Sequence, residues 1–473
     1  MRPGSGAADD PVERRRRCGL SPGRSTLRID VELDQRVDRR PALPSARRRL
    51  RRAPALIPLF RRAQWVLLDQ VLSSASNFLF AILVARSVPA REFGLFTVAF
   101  LIYQVTLNTS RSLVSDPLVI GFSAEDPRAV LRRGRASTGT AMTLGAVGGA
   151  LMLATTTVGP GVAGAATVPL AFALPGLFLQ DAWRYVFFAS RAPAKAAFND
   201  SLWLLAQLGL FAALAAVDRL DVTSLTAAWG GAATVAGVVG CVQAGVPPSP
   251  AHARSWLRQH RRVGMGLTTD ALVRGAAAQL GMLSIGAAAG LTAVGAVRAA
   301  LLLFGPPYIL LQGGVALAVP EAVRLRQRHP DRLLSVAIVS GLLLGLVPAL
   351  WGAGLLAMPE RFGDLLLGDS WPTARALVPT MTVMVIAAAV LVPAAVGLRA
   401  LVSVRRLVIT SLVVAPLGVL FAAAGALAGE TRGAAHGLAA GHWLMGVVLW
   451  WQFVAAVRSA DTAPESPRRS GDR

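Results

Sequence analysis

From Trp65 onward the chain alternates apolar runs of about 20 residues with short polar gaps, a length that as helix crosses roughly 30 Å of hydrocarbon. In lipid every backbone polar group must find its partner within the protein, so such runs are confined to transmembrane helices. Helices are expected near 65–86, 94–119, 138–158, 162–188, 197–217, 222–246, 264–288, 291–318, 333–357, 376–398, 407–428 and 435–457. The boundary between the third and fourth is tight, at Gly159-Pro160-Gly161. Charge supports the reading. Only 16% of residues are charged and mean hydropathy is +0.53, whereas a soluble domain carries roughly a quarter charged residues. The expected class is therefore an all-α polytopic membrane protein of about twelve helices.

A formal charge of +22 could indicate nucleic acid, but its distribution argues otherwise. Arginines crowd the first 62 residues, as in Arg14 to Arg17 and Arg47 to Arg49, and most others sit in the short gaps. No nucleic-acid-reading module is present, and aromatics do not interleave with the basic clusters. With the N-terminus inside, alternate gaps hold Arg128, Arg132, Arg133 and Arg135, then Arg184, Arg191 and Lys195. Next come Arg254, Arg258, Arg261 and Arg262, then Arg324, Arg326, Arg328 and Arg332, then Arg399, Arg405 and Arg406. The other gaps hold only Arg86, Arg91, Arg219, Arg361, Arg375 and Arg432. By the positive-inside rule both termini are expected in the cytosol, on either side of an even number of spans.

Residues 1–55 read as a basic, disordered cytosolic arm, or as an extension from a misplaced start codon. No signal peptide is apparent. The expected domains are an N-lobe at 62–246, a C-lobe at 264–457 and a cytosolic tail at 458–473. A shift of 201 residues aligns Asp69 with Asp270, Gly94 with Gly295, Ala99 with Ala300 and Leu101 with Leu302. That register pairs helices 1 and 2 with helices 7 and 8, as expected for two parallel six-helix lobes around a central cavity.

Leu83-Val84-Ala85-Arg86, Pro89, Glu92-Phe93-Gly94 and Leu95-Phe96 resemble the first hairpin of polysaccharide-biosynthesis flippases, which reads roughly A-R-x-L-x-P-x-E-F-G-x-F. These flippases belong to the multidrug/oligosaccharidyl-lipid/polysaccharide exporter superfamily. Gln180 to Tyr185 with Phe187-Phe188-Ala189, and Gly368-Asp369-Ser370-Trp371, add to the likeness over about residues 62–457. It departs at Ser87-Val88 and in the N-terminal arm. The resemblance implies translocation of a polyprenyl-diphosphate-linked oligosaccharide across the cytoplasmic membrane by alternating access. Its implied partners are that glycan lipid, the bilayer, and a glycan polymerase and glycosyltransferases. No cofactor and no nucleic acid is implied.

Ionisable groups at membrane depth are costly and are functional suspects. Arg111, Arg274 and Arg298 are the basic residues well inside the expected spans. In the family that the chain resembles, helices 1, 2, 7 and 8 face the cavity, where guanidiniums would grip a diphosphate. The alternative pairs Arg111 with Asp116 and Arg274 with Asp270, the latter at i,i+4 spacing. Asp69, Asp270 and Asp116 are candidates for binding a coupling ion or closing a gate. For Asp69 and Asp270 the competing reading is an ordinary acid at a helix N-terminus. Asp181 and Arg184 read as a salt bridge anchoring the following loop, with substrate contact as the alternative. Pro175, Pro306-Pro307, Pro348, Pro393 and Pro416 read as hinges or as ordinary membrane-helix prolines.

No catalytic residue is expected. The chain lacks a phosphate-binding GxxxxGK[S/T] loop and an HExxH pair. Its two cysteines, Cys18 and Cys241, have no metal-ligand spacing, and its five histidines are scattered, so no metal site is expected. Two other functions compete. A cation or drug antiporter of the same fold would prefer an acidic, aromatic cavity. A membrane glycan polymerase or glycosyltransferase would need a large outer loop with catalytic groups, and the longest outer gap, Pro359 to Thr373, is short.

Overall fold

The computed structural model describes residues 53–87, 90–158, 167–367 and 371–461. The N-terminal arm before Ala53, the Gly159-Pro160-Gly161 boundary, Gly368 to Ser370 and the end of the tail lie outside these residues, as does Pro89. The described residues are almost wholly helical and contain no strand. Among the described residues nine helices are long and apolar enough to cross a membrane, and internal breaks raise the number of crossing segments.

The first half comprises α1 (Ala53–Ser87), α2 (Ala90–Ser110), α3 (Asp116–Phe122), α4 (Pro127–Val158), α5 (Thr167–Ala189), α6 (Pro193–Ala216) and α7 (Val222–Ala244). The second comprises α8 (Ala253–Leu303), α9 (Gly305–Arg328), α10 (Leu333–Ala357), α11 (Glu360–Leu367), α12 (Trp371–Ala400) and α13 (Val404–Asp461). Two of these helices are each two. In α8, Gly290 has φ 84° and ψ 171°, a conformation essentially open only to glycine. A Cβ on Gly286 would come within 3.3 Å of the Val294 side chain, whereas a continuous helix holds residues eight apart about 12 Å from each other. The chain therefore reverses at Gly290. In α13 the break is at Gly429 and Glu430, after which the two arms pack through Gly425 against Gly433 and Gly437 against Phe421. Counting α2–α3 and α5 as crossings, and joining the end of α8 to α9, the described residues contain twelve.

The expected 94–119 helix is interrupted by a π-helical turn, Arg111–Ser115. Pro117 explains it: its ring cannot sit against the carbonyl four residues back, Leu113, and the ladder widens there. Other helices begin earlier than their apolar runs. Thus α1 starts at Ala53, α4 at Pro127 and α8 at Ala253, because arginine-bearing turns stay helical beyond the hydrocarbon while lowering hydropathy. The gap after Pro359 is a short helix, α11, with exposed Phe362, Leu365 and Leu366.

The outer surface is apolar where a soluble protein would be polar: Leu291, Leu365 and Phe172 are 85%, 82% and 73% exposed. The gaps rich in arginine gather at one end. There Lys195 donates to the Gln243 carbonyl (2.6 Å), the Ser249 amide to the Arg135 carbonyl (2.8 Å), and Arg326 to the Ala400 carbonyl (2.7 Å). The halves differ inside. The first is packed with rings, with Trp229 stacked 4.8 Å from Phe80 and contacting Phe100, Tyr103 and Trp203. The second keeps a cavity.

Candidate functional site

Three groups of polar residues interrupt the apolar interior. In the first half, Arg184 of α5 stands among three carboxylates. Its Nη2 donates to Asp69 of α1 at 2.6 Å, its Nη1 lies 3.5 Å from Asp181, and its Nε lies 3.3 Å from Asp200 of α6. The Nε–Asp200 approach pairs charge without hydrogen-bond alignment, leaving both atoms unpaired as donor and acceptor. Asp181 also takes both prongs of Arg111, at 2.9 and 2.7 Å. Gln180 donates to Asp200 and Asn199, and Asn199 donates to the Ala236 carbonyl at 2.7 Å. With every acid ionised, three carboxylates face two guanidiniums, so one proton or monovalent cation would balance the cluster. Asp69 and Asp200 are almost wholly buried.

In the second half, a cavity of about 430 Å³ lies among α8, α9, α12 and α13. Its polar wall carries Asp270, Arg274, Gln312, Arg399, Ser411 and His442, and the rest is mostly aliphatic, including Leu391, Val396, Leu407 and Val414. Asp270 accepts from Arg274 at 2.8 Å and from the Ser411 hydroxyl. Arg274 remains 44% exposed on its side chain, so its fork is only partly used. Arg399 reaches Asp116 of the other half at 3.8 Å. Such a cavity, apolar with a few convergent polar groups, is the usual form of a small-molecule site.

The third group ties the halves together at the arginine-rich end. Arg324 of α9, almost buried, donates to the carbonyls of Ser123 and Ala189 at 2.8 Å and pairs with Glu321 at 2.7 Å. Glu321 in turn holds Arg62 of α1 at 3.0 Å. Around these contacts Val119, Ile120 and Ala189 share one apolar cluster with Val319, Leu333 and Phe453. That end is shut.

The sequence-derived candidates are thus redistributed. Arg111 pairs with Asp181, not Asp116, and Asp116 faces Arg399. Asp69 and Asp270 are not helix N-terminal acids, since α1 begins at Ala53 and α8 at Ala253, and the dipole acts only within the first turn. Asp181 and Arg184 do lie within ion-pair distance, but inside a buried network and not at a loop. Arg298 is exposed, does not line the cavity, and has no ion pair among the described residues. Arg399, Asp200, Ser411, His442 and Gln312 join the site without being candidates by sequence pattern. A polar residue inside an apolar run, as Ser411 and His442 are, was the available signal. No cluster of metal-binding side chains occurs among the described residues.

No protein-family model matches the chain, and no curated protein does. Solved structures match it. A MATE protein in complex with MaL6 superposes with a TM-score of 0.69, covering 85% of this chain and 96% of its own at 13% identity. The fold is that of the MATE transporters. An outward-facing multidrug resistance MATE transporter of the MOP superfamily gives 0.67 at 12% identity, with the same shares covered. A MOP superfamily transporter from Pyrococcus furiosus, described by the reverse polarity of its binding pocket and a different suggested function, gives 0.64 at 13% identity and the same shares.

Proposed function

We propose that the protein moves an amphiphilic anion across the cytoplasmic membrane by alternating access of its two halves. The substrate class we favour is a polyprenyl-diphosphate-linked oligosaccharide destined for the cell surface. The observation that carries this reading is the cavity of the second half, where Arg274 and Arg399 face a largely aliphatic chamber beside Ser411 and Gln312. Guanidiniums suit a diphosphate because they keep their charge and present paired donors. The aliphatic wall suits the lipid. Arg111, whose fork is filled by Asp181, serves the ionic cluster in this scheme, and Asp69 with Asp200 is the place for a coupling proton or cation. The arginine-rich end is assigned to the cytosol, and a glycan polymerase and glycosyltransferases would act with the transporter.

Liposomes holding the purified protein and a fluorescent polyprenyl-diphosphate disaccharide in both leaflets provide the test. A membrane-impermeant quencher should reach nearly all of the label with wild type and about half without protein. Replacing Arg274 and Arg399 together with glutamine should slow exchange at least about tenfold, since a hydrogen bond to a charged group contributes roughly 1.5–3 kcal/mol. An unchanged rate in the double variant would remove the anion cavity.

A second reading, efflux of organic cations, has one specific support: Asp270 lies on the same wall, and His442 beside it. Saturable uptake of a cationic dye into these liposomes, lost in Asp270→Asn and indifferent to Arg274, would favour it.

A further inference from the structure

A second pocket of about 310 Å³ lies at the arginine-rich end, outside the cavity described above. It is built where the segment joining the two halves crosses α4. Gly245, with φ +70°, ends α7, and the following chain runs back against α4. There Ser249 is so close to Gly139 that a Cβ on that glycine would overlap its backbone. The Ser249 amide donates to the Arg135 carbonyl, fixing the contact.

Arg132, Arg133 and Arg135 line this pocket from α4, and His252, Gln259 and His260 line it from the start of α8. No carboxylate is in its wall, and none of the three arginines has an ion pair among the described residues. The wall is nevertheless ordered by contacts of its own. Arg133 sits 5.0 Å above the Phe122 ring, and the His260 ring lies tilted 4.2 Å from that of Trp256 and donates from Nδ1 to the Trp256 carbonyl at 3.1 Å. Ser249 is hydrogen-bonded to His252 at 2.7 Å. Three like charges brought together without a counter-charge repel one another, and an anion seated among them relieves this. Trp256 and Phe122 beside the arginines are the mixture of rings and cations that favours the headgroup layer.

The geometry points to a binding site for the phosphate group of an anionic membrane lipid, held between α4 and the joining segment. This goes beyond the transport reading and does not depend on it. The pocket lies at the end of the molecule, apart from the Asp270–Arg274 cavity. A lipid seated there would tie the joining segment to the first half and act from the leaflet at the arginine-rich end.

Native mass spectrometry of the full chain in a neutral detergent tests the site. Wild type should retain phosphatidylglycerol and not phosphatidylcholine. Changing Arg132, Arg133 and Arg135 together to glutamine should weaken retention about 100-fold, at roughly five-fold per arginine. A charge-matched control, Arg254, Arg258 and Arg261 to glutamine, should stay within about three-fold of wild type, because those residues, exposed like the three pocket arginines, lie outside the pocket. Equal loss in both variants, or none in either, would overturn the proposal. Competition in wild type needs no variant and separates the sources. Millimolar inorganic phosphate should leave the lipid bound; its displacement would overturn the lipid as occupant and leave a free-phosphate site.

Discussion

Changing Arg184 to methionine is expected to destabilise the folded protein by about 3–5 kcal/mol, the cost of leaving buried charge without its partner. The guanidinium contacts Asp69, Asp181 and Asp200 at once, and it is almost fully enclosed. Without it three carboxylates at membrane depth have only Arg111. Thermal unfolding of the purified protein in detergent should record a large drop in midpoint, or failure of folded protein to accumulate. Lysine should rescue only in part, because one ammonium cannot reach three separate acids as the planar fork does. The triple change Arg184→Met, Asp69→Asn, Asp200→Asn should recover much of the loss, since removing both sides of an interaction costs far less than removing one. A single variant within about 1 kcal/mol of wild type would show that the cluster is peripheral to folding.

The second large effect concerns the closed end. Arg324→Ala deletes the hydrogen bonds to the Ser123 and Ala189 carbonyls that cross between the halves. Each is charge-assisted and largely shielded from water, so together they favour closure by a factor on the order of 100. In a protein whose Cys18 and Cys241 are replaced by serine, a cysteine at buried position 123 should react with a maleimide at least about tenfold faster once Arg324 is removed. Glu321→Ala should act in the same direction and less strongly, because it touches Arg324 within its own helix. Unchanged reactivity would place closure in the surrounding apolar cluster alone.

How much of this was legible in the sequence follows from the range of each interaction. The helix pairs around Gly290 and Gly429 could be read because burial in lipid is written locally, as one apolar run after another. The 201-residue register aligned Asp69 with Asp270, and both are buried acids, one in α1 and one in α8. Their partners could not be found that way. Asp69 meets Arg184 across 115 positions, and Arg111 meets Asp181 across 70. Reasoning from proximity in sequence offered Asp116, five residues away, which the π-helical turn carries toward Arg399 instead. Asp200 drew no attention because it begins an apolar run near a gap. His442, one of five scattered histidines with no metal-ligand spacing, lines the cavity of the second half, a role that spacing does not encode. The hollow of the second half is a volume left over after packing, which no local pattern encodes.

The proposed function comes down to one claim: the halves must separate at the arginine-rich end for substrate to move, with the cavity of the second half exposed in turn to either side. The decisive measurement joins position 123 to position 324 with a short, reducible cross-linker between introduced cysteines and follows lipid-linked disaccharide exchange in liposomes. Bridging the halves there should stop exchange, and reduction should restore it to the level of the same variant before cross-linking. Exchange that continues at full rate with the bridge in place would contradict alternating access in this protein.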